Sequence, residues 1–137
     1  TDGIVAEQAV AGIGYNTIVR SIGNGISLAN GDASTVLNNI LFRNGSYGLD
    51  ASASAAAQVG YTNSFGNGLA DFNGAFASLG GLISTSPRFI NPAGDYHLRP
   101  GSPMINAARV QYVPTDIEGK ARVLWGNTYP DIGAYEF

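Results

Sequence analysis

The chain has 137 residues, enough for one domain with a single modest core. Charged residues make up 12% of it, the net charge is −3 and cysteine is absent, which excludes a nucleic-acid footprint, a disulfide framework, thiolate metal sites and Cys nucleophiles. No apolar run approaches the roughly 18 residues of a membrane helix, and no charged segment leads into an apolar run, so any signal peptide is expected to have been removed.

From the N-terminus the chain repeats itself. Asp2-Gly3-Ile4, Asn24-Gly25-Ile26, Tyr47-Gly48-Leu49 and Asn67-Gly68-Leu69 set marker glycines at spacings of 22, 23 and 20. Periods of this size mark a solenoid. The segments Asn16–Arg20 and Asn39–Arg43 precede successive markers at one offset, so Ile18 matches Leu41 and Arg20 matches Arg43. Gly, Asn, Ser, Thr and β-branched residues disfavour helix interiors. A leucine-rich repeat would need a regular Leu ladder, which is missing. The pattern predicts an all-β parallel β-helix over residues 1–83, with coils of about 20–24 residues. Ile4, Ile26, Leu49 and Leu69 are expected in one inward stack, and Ile18 with Leu41 in another. The marker glycines are expected at corners with positive φ, and Asn16 and Asn39 in a side-chain ladder at a turn. In the third coil this alignment puts Tyr61 at the Leu41 position and Asn63 at the Arg43 position. The small-residue run 51–59 has helix propensity, but its serines and its register favour a tight turn of the solenoid.

The second half differs in composition. All 6 prolines follow residue 86, and residues 84–137 read as a separate region packed on the coils. Its motifs are "SPRFINP", "GDYHLRPGSPMINAA", "TDIEGKAR" and "DIGAYEF". In this order they resemble the C-terminal region of bacterial right-handed parallel β-helix proteins of the choice-of-anchor Q type. Ser86, Arg88, Asn106 and Ala108 depart from that pattern. The resemblance implies a right-handed helix, a C-terminal capping region and a secreted or cell-surface bacterial protein. It implies no single reaction. It also implies that Asp116 and Arg122 fix the cap as a charge-assisted pair. Trp125 is expected to anchor the same cap. The terminal "PDIGAYEF" alternates and is expected to run as a strand, with Ile132, Ala134 and Phe137 on one side. Asp131 or Glu136 would then pair with a cation.

The candidate chemistry is sparse. His97 is the sole histidine, and a strand residue bonded to backbone is the expected role within the cap. The coil acids Asp2, Glu7, Asp32, Asp50 and Asp71 share no offset from the marker glycines, so no acidic column for sugar chemistry emerges. "TDIEGKAR" lacks the spaced ligands of a Ca²⁺ loop, and no cofactor or metal site is expected. Arg20 and Arg43 do share an offset. Stacked one coil apart, they are the candidate contacts for an anionic glycan, with solvated outward arginines as the alternative.

These observations favour a non-catalytic structural or binding module: adhesin-like, a part of a surface or filament assembly, or a glycan contact. The alternative is the C-terminal part of a polysaccharide lyase, epimerase or glycosidase whose catalytic coils lie upstream. Asp2-Gly3-Ile4 aligns with the middle of later coils. The first coil is therefore expected to stack on another copy or on an upstream β-helical segment.

Overall fold

The computed structural model describes residues 1–31, 33–54, 56–109, 113–122 and 129–137. Among these residues the chain is all-β and forms a parallel β-helix. The first coil carries β1 (Ile4–Glu7), β2 (Gly12–Gly14) and β3 (Thr17–Val19). The second carries β4 (Ile26–Ala29), β5 (Thr35–Leu37) and β6 (Ile40–Phe42), and the third β7 (Tyr47–Ala51), β8 (Gln58–Gly60) and β9 (Asn63–Phe65). A partial fourth coil adds β10 (Ala70–Gly74), β11 (Ala77–Ser78) and a bridge at Ile83. Each strand pairs in parallel with its counterpart one coil away, giving the three sheets β1-β4-β7-β10, β2-β5-β8-β11 and β3-β6-β9.

The strands are short because Gly, Asn and Ser interrupt the β-formers every few residues, and each interruption turns a corner. Within a strand the side chains alternate. In β6, Leu41 points into the solenoid, where it joins Ile26, Leu28, Val36, Leu49 and Val59. Ile40 and Phe42 point outward from the same strand into a second apolar cluster. Fully burying one such side chain stabilises the fold by about 1.5–3 kcal/mol. The two expected inward stacks are present over the first two coils, since Ile4 faces Ile26 and Ile18 faces Leu41.

The third coil does not shorten to the expected length. Leu49 pairs with Phe72, not Leu69, and Ala70 with Tyr47. Asp71 therefore stands opposite Gly48, while Leu69 is 67% exposed. Gly68 instead belongs to the column of Gly45: its amide donates to the Asn44 carbonyl as the Gly45 amide donates to Ser21. The expected alignment of Tyr61 and Asn63 moves with it, because Leu41 pairs with Ser64 and Ile40 with Asn63. The cause is a polar ladder stronger than the Gly motif. Asn67 Oδ1 accepts the Asn44 amide at 2.9 Å, and Asn44 Oδ1 accepts the Ser21 amide at 3.0 Å. The predicted Asn16–Asn39 ladder is also present. Asn39 Oδ1 accepts both the backbone N–H and the side-chain amide of Asn16 at 3.0 Å.

The marker glycines are not the left-handed corners. Positive φ falls on Tyr15, Asn38 and Tyr61 in one column, and on Arg20, Arg43 and Gly66 in another. The markers are glycine because space is lacking. A Cβ on Gly48 would lie 1.8 Å from Ser64 Oγ and 2.6 Å from the Asp71 carbonyl oxygen. No helix occurs in the described part of 51–59, which is a turn between β7 and β8.

The described residues of 86–137 pack along the flank of the solenoid. A hairpin of β12 (Phe89–Asn91) and β13 (Asp95–Leu98) begins this region. Phe89, Leu98, Met104, Ala108 and Ile132 pack on Tyr15, Ile40 and Phe42 of the coils. Backbone ties reinforce the contact: Gly133 N–H donates to the Asn38 carbonyl, and Arg109 N–H to Asn38 Oδ1. The expected terminal strand does not form. Residues 131–137 are irregular; Gly133 has φ 101°, Ile132 is buried and Phe137 is exposed. Gly133 passes so close to β6 that a Cβ would lie 2.6 Å from Ile40 Cδ1.

Two alanine substitutions separate the two uses of glycine. Gly48→Ala should lower stability by about 1–3 kcal/mol through overpacking. Gly31, with φ 81° and open space around it, should cost about 1 kcal/mol for backbone strain alone when changed to Ala. Urea unfolding of both variants measures the difference.

Candidate functional site

Arg20 and Arg43 stack one coil apart, as their spacing predicts. Val19 pairs with Phe42, and the amides of Arg20 and Arg43 donate to the carbonyls of Phe42 and Phe65. Both residues hold a left-handed corner, with φ 58° and 54°. The two guanidinium groups have different settings. Arg43 sits with its guanidinium carbon 4.9 Å from the Phe42 ring centroid and lines a groove between the coils and the flanking region. Arg20 does not line that groove.

The groove has a volume of about 560 Å³, within the usual range for small-ligand sites. Phe42, Arg43 and Phe65 form its coil side. Arg88 and Arg99 come from the hairpin side. Sequence spacing could not join these residues to Arg43. Only the docking of the flanking region brings them together. Arg88 Nη1 donates to the Gly101 carbonyl at 3.0 Å, and Arg99 Nη2 donates to the Ile90 carbonyl.

The residues expected to fix the C-terminal region do meet, but with other partners. Arg122 pairs with Glu136 at 3.0 Å, not with Asp116. Its Nη2 donates to the Gly133 carbonyl at 2.8 Å, and its guanidinium carbon lies 4.2 Å from the Tyr15 ring centroid. Asp116 instead holds its own turn: Oδ1 accepts the amides of Glu118 and Lys120, and Oδ2 that of Glu136. Burial pushes the Asp116 carboxyl up, but these N–H groups and Arg122 outweigh it and hold the carboxyl below its usual value. Asp131 accepts the amides of Asn106 and Phe137. Burial raises Asp131 above the usual carboxylate value, and burial beside Asp131 does the same to Glu136. Trp125 and Asp32 lie outside the described residues.

His97 sits on β13, but its ring is not bonded to backbone as expected. Nδ1 lies 2.6 Å from Asp95 Oδ1, Nε2 lies 3.1 Å from Glu118 Oε2, and the Tyr135 ring is 4.3 Å away. The sequence distance between Asp95 and Glu118 hides this clamp. Hydrogen bonds to Asp95 and then Glu118 raise the His97 pKa above its ordinary 6.5.

The described coil acids form no column. Asp2 receives the Asn24 amide, Asp50 the Ser52 amide and the Asn73 side chain, and Asp71 the Asn67 side chain. No group of three or more His, Asp or Glu side chains among the described residues is placed to hold a metal ion. No helix there is long and apolar enough to cross a membrane. Comparison with protein-family models, curated proteins and solved structures finds no match.

Two outcomes test these ties. Arg122→Ala strands Glu136 in a largely buried site and should cost about 3–5 kcal/mol. Hydrogen exchange should then quicken in residues 129–137 before it does in β5. The His97 clamp is pH-dependent. Its raised folded pKa means that its stabilisation is complete below pH 6.5 and lost as pH rises through the folded value. The Asp95 carboxyl is held below its ordinary 3.8, chiefly by the His97 ring, so its share is present above pH 3.8 and lost as pH falls through the folded value. The His97 side chain is 38% exposed, so solvent screening keeps the effect small. His97→Gln should abolish the stability decline on the alkaline side of pH 6.5, measured by thermal melts across pH.

Proposed function

We propose that this chain is a non-catalytic structural module of a secreted or cell-surface β-helix protein, built to extend a solenoid by stacking coils. The observation that carries this reading is the polar ladder at the β2–β3 corner. Asn39 Oδ1 accepts an N–H from Asn16, and Thr62 Oγ1 accepts one from Asn39 at 3.4 Å. Asn16 aligns with Asn39 one coil earlier, and its Oδ1 would accept the matching N–H of an added coil. Around it, among the described residues, β1, β2 and β3 pair with β4, β5 and β6 alone, so each presents one open edge in the same direction. Val5 and Val10 are exposed at 61% and 88% on the same coil. An in-register set of open parallel edges is a template for a further coil, supplied by another copy or by an upstream β-helical segment.

The low charge and the single Lys suit an extracellular surface, and the motifs of residues 84–137 support the same location. An enzymatic role would use the arginine column against a uronate-rich substrate. Incubation with uronate-rich and neutral glycans separates the two readings. No cleavage is expected, and cleavage lost in an Arg20→Ala/Arg43→Ala double variant would overturn the structural one.

Stacking itself is read by sedimentation and hydrogen exchange. Concentration-dependent association is expected, with slower exchange of β1–β3 amides as it proceeds. Val5→Lys should weaken association by placing a charge at the edge. A stable monomer whose first-coil amides are already as protected as those of β6 would contradict the proposal.

A further inference from the structure

The groove on the flank is a second, independent feature. None of its lining residues belongs to the first coil, whose β1–β3 edges carry the stacking proposal. Its lining residues are Phe42, Arg43, Phe65, Phe89, Arg88 and Arg99, together with Ser86 and three prolines. Three arginines thus line a common space, and among the described residues no carboxylate lines it. The chain as a whole carries net charge −3, so the groove runs against the global charge. Among the described residues Arg122 is the arginine that forms an ion pair. Arg43, Arg88 and Arg99 have no described carboxylate in salt-bridge range.

These arginines are oriented without being neutralised. Arg88 and Arg99 each donate to one backbone carbonyl, which leaves most of the five N–H donors of each guanidinium available. Arg43 rests against the Phe42 ring, an arrangement that orients a guanidinium by cation–π attraction. The backbone also favours Gly at two of these positions. Arg43 and Arg88 both have φ 54°, and Gly66 occupies the Arg43 position in the next coil with φ 71°. An L-residue there costs about 1–2 kcal/mol.

The floor supplies the other half of a site. Phe42 and Phe65 stack at 6.3 Å with planes 13° apart, and Phe89 meets Phe42 edge-on at 5.4 Å. Phe42 and Phe89 are buried, whereas Phe65 is half-buried and turns part of its ring to the groove. A flat apolar surface beside oriented guanidinium groups matches a ligand that carries both an apolar face and planar or tetrahedral oxyanions. A pyranose ring bearing carboxylate or sulfate groups has both. Arg binds such oxyanions through paired N–H donors, and a sugar's C–H face packs on an aromatic ring. A long phosphate polymer fits less well, because the acidic remainder of the surface repels it.

We propose that the groove formed by Arg43, Arg88 and Arg99 over Phe65 binds an acidic oligosaccharide. The test is calorimetric titration of the full chain with three probes: hexagalacturonate, a heparin-derived hexasaccharide, and methyl-esterified galacturonate of the same length. Binding of at least one acidic probe is expected, weakening as salt is raised, with the neutral probe about tenfold or more weaker. Arg43→Gly should reduce affinity about tenfold while keeping the thermal midpoint at or above that of the parent chain, because Gly suits the left-handed corner. Arg20→Gly makes the same change at the same corner one coil earlier, outside the groove, and should leave affinity unchanged.

Several results would overturn the proposal. They are no binding of either acidic probe up to about 10 mM, an Arg43→Gly variant that binds like the parent, or an Arg20→Gly variant that loses as much. A single-stranded oligonucleotide of equal charge binding as tightly, or inorganic sulfate matching the sulfated probe, would equally remove the sugar from the assignment.

Discussion

The coil-to-coil register rests on buried side-chain amides. Asn39 and Asn44 are almost completely inaccessible, and each must satisfy its polar atoms inside the protein or cost the fold heavily. They do so by bridging coils. Asn39 Nδ2 donates to the carbonyls of Ile13 and Leu37, and Asn44 Nδ2 reaches Asn67 Oδ1 at 3.0 Å. A slip of one residue would break these bonds and turn every inward side chain outward at once. This explains why the third coil keeps the spacing of the second, although its most visible Gly motif suggests a shorter one. The interior apolar stack alone would tolerate Leu69 or Phe72 next to Leu49. The asparagine ladder does not.

The same alternation that fills the interior creates a second requirement. With Leu41 inward, Ile40 and Phe42 face outward on the middle strand of a three-stranded sheet. That apolar stripe is covered by the flanking region, whose Phe89, Met104 and Ile132 complete a second core. Arg122 then ties the last residues down from below the Tyr15 ring. The flank is therefore as much a part of the folded unit as the coils are. The groove between them is a consequence of how a hairpin meets the corner of a solenoid.

Backbone conformation divides the small and the charged residues in an unexpected way. The tight approaches between coils take glycine for lack of room. The left-handed corners take Tyr, Asn and Arg as well as glycine, with Gly66 in the Arg43 column. At Tyr15 and Asn38 the side chain compensates with a buried contact across to Arg109: the Tyr15 hydroxyl and Asn38 Nδ2 both donate to its carbonyl. At Arg43 the side chain lines an open groove instead, resting against the Phe42 ring. Arg20 carries the same left-handed strain one coil earlier, so the conformation follows the coil geometry.

The sequence by itself determined that the chain is a parallel solenoid with a coil of about the observed length. Repetition of Gly, Asn and alternating aliphatics admits few other ways to bury the apolar half of each coil. It also determined that Asn16 sits over Asn39, Ile18 over Leu41 and Arg20 over Arg43, because those pairs lie at one unbroken offset. Local pattern could not decide where the third coil returns, since that depends on hydrogen bonds between Asn44 and Asn67 across the stack. Nor could it decide that Arg122 pairs with Glu136, that Asp95 and Glu118 clamp His97, or that Arg88 and Arg99 join Arg43. Those groups come from segments with no common period, and only the docking of residues 86–137 on the outward face of β6 brings them within reach.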